Sequence, residues 1–86
     1  MERVFTVEVI ISNKPQARDP EGETIIRDMI HKSGFSAVSE VRTGKLLAVK
    51  IQAASDEEAC QKVTSMCNLL RLYNPVAHSL TVRARS

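Results

Sequence analysis

Between Arg3 and Ile11 apolar side chains occupy every second position, Phe5, Val7, Val9 and Ile11, with Thr6, Glu8 and Ile10 between them. A period of two sends successive side chains to opposite faces of an extended chain, so this stretch predicts a strand with one buried face. The alternation returns at Leu47, Val49 and Ile51, set against Ala48, Lys50 and Gln52, and more weakly through His78, Leu80 and Val82 in a strand from Val76 to Arg83. A shorter run, Phe35 to Val41, predicts a weak strand joined to the 47–51 strand by a hairpin near Thr43 and Gly44. Four half-buried strands are the frame into which the rest of the chain must fit.

Two capped helices occupy the long gaps. Asp19 can accept a hydrogen bond from a free first-turn amide, Pro20 suits the first helical position, and Glu21 is favoured by the positive end of the helix dipole. Gly22 fits less well, since glycine inside a helix costs up to about 1 kcal/mol relative to alanine. Two explanations stand: a close backbone approach by another chain or ligand, or a tolerated imperfection. The helix runs from about Pro20 to Ser33, with Ile25, Ile26, Met29 and Ile30 as an apolar stripe, His31 and Lys32 at its negative end, and Gly34 as its stop. Before it, Ser12 to Arg18 reads as a basic surface loop containing Lys14 and Pro15. The second helix opens with the capping box Ser55, Asp56, Glu57, Glu58, places Ala59, Val63, Met66, Cys67 and Leu70 on one side, and breaks around Tyr73, Asn74 and Pro75.

The order strand, helix, strand, strand, helix, strand is that of an α+β, ferredoxin-like (split βαβ) domain, an antiparallel sheet with two helices on one face. Its other face would carry Ile10, Leu46, Ala48 and Thr81, apolar enough to favour association through sheets into oligomers. With 86 residues the chain forms a single domain, residues 1–86, burying only roughly 60–65% of the surface its unfolded form exposes. A core this thin gains from association.

Composition narrows the function classes. A net charge of +2 is small for a nucleic-acid binder, although Arg83 and Arg85 add a local positive end. Base stacking on the central strands would need aromatic side chains, and Phe5, Phe35 and Tyr73 fall elsewhere: in the core register or near helix ends. No apolar run approaches the roughly 20 residues of a membrane span, and Met1, Glu2 and Arg3 run straight into a strand rather than a signal peptide, so a cytoplasmic chain is expected. Cys60 and Cys67 lie seven apart on one helix, on one face but too far apart for a disulfide, and read as small core residues. His31 and His78 sit on separate elements without a partner at a recognisable spacing, and the carboxylates belong to caps and helix surfaces, so no catalytic constellation is expected.

The remaining distinctive cluster is Arg42, Thr43, Gly44 and Lys45. The glycine would serve the backbone of the turn, and the two cations either deter edge pairing or meet carboxylates or phosphate on a partner.

Taken in order, Lys14 and Pro15, then Asp19, Pro20 and Gly22, then Arg42, Gly44 and Lys45, then Asn74, Pro75 and Val76 make the chain resemble the PurS family, small subunits of multi-subunit phosphoribosylformylglycinamidine synthases of purine biosynthesis. The resemblance involves most of the chain. It departs at Glu21, where the family often carries Gln, and at Ala77, His78 and Ser79, where an acidic residue is common. It implies a non-catalytic subunit that assembles a PurL-type synthetase subunit with a PurQ-type glutaminase subunit, and that forms a homodimer or homotetramer. Catalysis would belong to the partners, ATP and Mg would be used by the complex, and this chain would bind no cofactor or metal. Asp19, Gly22, Arg42, Gly44 and Lys45 are then candidate subunit-interaction positions. Two other classes are a ferredoxin-like regulatory module that binds a small molecule and an RNA-binding domain.

Overall fold

The chain's first strand is the centre of its sheet. In the computed structural model, which describes residues 2–85, β1 (Arg3–Asn13) is flanked by β2 (Gly44–Ala53) and β3 (His78–Ala84), both antiparallel to it, in the order β2-β1-β3. The register puts Val9 between Leu47 and Val82, and Ile11 between Lys45 and Leu80. Directly opposed residues share a face, so the alternating apolar positions of all three strands point the same way. Helix α2 (Asp56–Leu69) lies on that face, and Ala59, Val63 and Cys67 meet Val7, Val9, Ile11 and Ala53 in a buried core.

Helix α2 starts at the expected cap, where the Ser55 hydroxyl accepts from the Glu58 amide at 3.2 Å. The Glu58 carboxylate turns instead to Lys62, 2.8 Å away, one helical turn on. Leu70, expected on the buried side, caps the end of the helix and is exposed, as is Leu69.

The first helical segment differs more. α1 (Pro20–Thr24) continues without a break into a π-helical turn over Ile25–Ile30 and a 3₁₀ turn over His31–Ser33, ending at Gly34 with φ 95°. The start and stop are those expected from Asp19, Pro20 and Gly34. Its placement is not: the segment packs against neither the strands nor α2, and the molecule is long and flat, 53 × 27 × 14 Å. The reason is the width of the sheet. With three strands the outer axes are only roughly 10 Å apart, which one helix of about 10 Å diameter covers.

The strand expected at Phe35 to Val41, and with it the hairpin at Thr43 and Gly44, is not formed; 34–43 turns at Ser36 and Ala37 and returns beside the first helical segment as irregular chain outside the sheet. It is fastened to that helix by the His31 ring, which donates from Nε2 to the Val38 carbonyl at 2.8 Å. A run whose alternation is weak has little to gain from a sheet edge, and here the chain connecting it to β2 is already committed beside α1. Gly44 becomes the first residue of β2, paired with Ser12, rather than the pivot of a turn.

On the face away from α2, Ile10 stands between Leu46 and Thr81, and Glu8 between Ala48 and Arg83. Ile10, Leu46, Ala48 and Thr81 are the four residues expected on the open side. Arg83 and Arg85 both pair with Glu8, at 2.9 and 2.8 Å, and hydrogen bonds first from Arg85 and then from Arg83 hold its carboxyl below the usual range. No helix among the described residues is long and apolar enough to cross a membrane.

Candidate functional site

Where the first helix starts beside the segment entering β2, the sequence clusters around Asp19 and Arg42 come together. Asp19 is only 2% exposed. Its carboxylate accepts from the Gly22 amide at 3.1 Å, from the Thr43 amide, and from the Thr43 hydroxyl at 2.8 and 2.9 Å. The Thr43 amide, then the Gly22 amide, then the Thr43 hydroxyl stabilise the charged form and bring its pKa down to about 2. One residue therefore caps the helix and ties it to the segment entering β2.

Arg42 binds the other side of the same joint. One terminal guanidinium nitrogen donates to the carbonyls of Lys14 and Ala17, both at 2.7 Å, fixing the basic loop that leads into α1. Gly22 lies beneath this segment. A Cβ there would approach the Val41 carbonyl oxygen closer than 3.0 Å and stand 3.1 Å from the Asp19 carboxylate. The close backbone approach that this glycine implied is real, and it comes from the same chain. Gly44 has a parallel cause, since a Cβ on it would stand 2.7 Å from the Ile11 carbonyl oxygen in the neighbouring strand.

Of the five positions singled out in the sequence, Asp19, Gly22 and Arg42 thus meet in one joint, while Gly44 and Lys45, both exposed, lie beside it. Thr43, which supplies two of the donors to Asp19, was not among them. Its only sequence signal is its place beside Arg42. Against the joint lies a cavity of about 210 Å³ whose walls include Asn13, Glu21, Thr43, Lys45 and His78.

His31 is engaged with the Val38 carbonyl, and His78 Nδ1 accepts from the Asn74 amide at 3.0 Å. Cys67 is fully buried, which pushes its thiol pKa up, and Cys60 is half-buried on the same helix. No three His, Cys, Asp or Glu side chains gather as a metal site among the described residues.

The family model described as PurS, phosphoribosylformylglycinamidine (FGAM) synthase, matches residues 6–86. The chain belongs to the PurS family. It is 34% identical over 80 residues to the phosphoribosylformylglycinamidine synthase subunit PurS of Methanocaldococcus jannaschii, a span of 93% of this chain and 94% of that one. Among solved structures it is similar to the PurS subunit of Thermotoga maritima, with a TM-score of 0.86 and 30% identity over 99% of this chain and 95% of that chain. It is also similar to a chain in the structure of PurLQS from Thermotoga maritima, with a TM-score of 0.84 and 31% identity over 96% of this chain and 99% of that chain. The three-stranded antiparallel sheet with two helices is thus the architecture of PurS structures, within the α+β, ferredoxin-like class expected from the element order.

Proposed function

We propose that this chain is the non-catalytic assembly subunit of a multi-subunit phosphoribosylformylglycinamidine synthase, joining a PurL-type synthetase subunit to a PurQ-type glutaminase subunit. The observation that carries this reading is the near full-length likeness to a chain of the PurLQS structure, together with the family match over residues 6–86. The complex would use ATP and Mg to activate the amide oxygen of formylglycinamide ribonucleotide. Ammonia from glutamine then gives formylglycinamidine ribonucleotide, with ADP, phosphate and glutamate as the other products. This chain's own residues hold a framework and take no chemical step. Such a role places the protein in the cytoplasm, with the synthetase.

Self-association is part of the proposal. The stripe of Ile25, Ile26, Met29 and Ile30 has no sheet beneath it, and Phe35 and Met29 are 64% and 62% exposed. The Leu46, Ile10, Thr81 row is likewise uncovered by any helix. A homodimer or homotetramer that buries these faces supplies the core that a chain of 86 residues lacks. The joint formed by Asp19, Gly22, Arg42 and Gly44 would then set the angle between helix and sheet, and Lys45 beside it would meet the larger subunits.

The test mixes purified chain with synthetase and glutaminase subunits in the presence of ATP, Mg and glutamine, and follows glutamine-dependent product formation and co-elution. Activity and co-elution should both require this chain. Glutamine-dependent activity that proceeds at the same rate without it refutes the assembly role.

A further inference from the structure

All three strands end their core-facing rows with a polar residue at the same end of the sheet. β1 runs Val7, Val9, Ile11 and then Asn13; β2 runs inward from Lys45 to Leu47 and Val49; β3 starts at His78 before Leu80 and Val82. The register sets Lys45 opposite Ile11, and His78 opposite Asn13, so Asn13, Lys45 and His78 lie on the face that carries the core. α2 covers the middle of that face, and the cavity of about 210 Å³ opens at this end, with Ile11 and Leu72 as its apolar walls. Glu21 and Thr43 complete it, each placed by the Asp19 joint.

The charges on these walls are opposite and unspent. Neither Glu21 nor Lys45 forms an ion pair among the described residues, although both line one small cavity. The Thr43 hydroxyl gives its proton to Asp19, which leaves its oxygen an acceptor. His78 accepts at Nδ1 from the Asn74 amide, which makes Nε2–H the donor of its ring. The cavity therefore offers donors from Lys45, His78 and the Asn13 amide, acceptors from Glu21 and Thr43, and apolar surface between them. A simple anion would meet the Glu21 carboxylate, and a simple cation would meet the Lys45 ammonium. The volume is below the roughly 300–1,000 Å³ of sites for drug-sized ligands, which leaves no room for a nucleotide.

We propose that this cavity, walled by Asn13, Glu21, Thr43, Lys45 and His78, binds a small zwitterion, a free α-amino acid, with its carboxylate at Lys45 and its ammonium at Glu21. The His78 and Asn13 donors share the carboxylate, Thr43 Oγ1 shares the ammonium, and Ile11 and Leu72 take the side-chain stem. Amino-acid binding does not rest on the assembly role, although the two share Lys45.

Amide spectra of the intact, isotope-labelled chain, titrated separately with glycine, L-alanine, L-glutamine, acetate, methylammonium and inorganic phosphate, test it. At least one amino acid should shift the amides of residues 11–13, 43–45 and 78 saturably, while acetate, methylammonium and phosphate at equal concentration do not. Glu21→Gln and Lys45→Met should each keep the folded spectrum and raise Kd at least about tenfold, as expected for losing one charge-assisted hydrogen bond. The proposal is overturned if no amino acid moves these amides, if phosphate or acetate moves them equally, or if both variants bind as the parent does.

Discussion

Replacing Gly22 by alanine sets two terms of opposite sign against each other, and the structure decides between them. Helix propensity favours alanine by up to about 1 kcal/mol in an interior position, and less in a first turn. Against this, the added methyl would lie closer than 3.0 Å to the Val41 carbonyl oxygen and 3.1 Å from the carbonyl carbon. Both are backbone atoms, so no rotamer change relieves the contact, and the segment from Val41 to Thr43 must withdraw. Overpacking of this kind costs typically about 1–3 kcal/mol. Withdrawal also strains the hydrogen bonds from Thr43 to Asp19, each contributing roughly 1 kcal/mol. The net expectation is a destabilisation of about 1–3 kcal/mol, which for a chain of 86 residues lowers Tm by roughly 4–8 °C per kcal/mol. Thermal unfolding followed by far-UV circular dichroism, at one fixed protomer concentration because association adds to stability, measures it. An unchanged or raised Tm would refute the close approach of Val41 and return Gly22 to a tolerated imperfection.

Asp19→Asn should flatten the acid limb of stability. A folded pKa lowered from 3.8 to about 2 contributes stability that is complete above 3.8 and disappears as pH falls towards 2. Urea midpoints measured from pH 5 downwards should therefore converge for parent and variant at the acid end, and parallel curves would contradict the tie to Thr43. Arg42→Ala removes the guanidinium that ties the Lys14 and Ala17 carbonyls to the joint, leaving the loop only its own Ala17 amide to Lys14 carbonyl turn, so trypsin should cut after Arg18 faster than in the parent. Lys45→Ala should leave both that cleavage and stability within about 0.5 kcal/mol of the parent, since its side chain is exposed. Equal proteolysis of the two variants would contradict this division. Val63→Ala, at a fully buried contact between α2 and the sheet, should cost about 1–3 kcal/mol in chemical denaturation. A loss below about 0.5 kcal/mol would mean that α2 does not seat there.

The strands with strong alternation were legible because burial of one face writes a period of two directly into the sequence. Phe5 to Ile11 and Leu47 to Ile51 show it, and their core-facing residues are those that form the core or pack against it. The helix starts were legible for a related local reason, since Asp19 and Ser55 satisfy amides only a few residues away. Phe35 to Val41 misled because weak alternation also describes an irregular segment lying beside a helix, and local sequence does not say what stands next to it. The position of the first helix was hidden for a related reason. Ile25, Ile26, Met29 and Ile30 announce an apolar face without naming what covers it. At the joint, Asp19, Gly22 and Arg42 were each conspicuous, but the pairing of Asp19 with Thr43 spans 24 residues and leaves no periodic trace. The polar row of Asn13, Lys45 and His78 was in principle readable, as each interrupts its strand's alternation at one end, but only the register shows that the three interruptions coincide.

The first helical segment is a lever arm mounted on a single pivot. It extends roughly 20 Å at about 1.5 Å per residue, so a tilt of about 10° at its base carries its tip through roughly 3–4 Å. Angular play too small to disturb any contact within the sheet would thus be magnified into a displacement about as large as a side chain at the far end. The stiffness of a few hydrogen bonds at Asp19, Thr43 and Arg42 therefore governs how accurately Met29 and Phe35, well away from them, are delivered to whatever surface receives them.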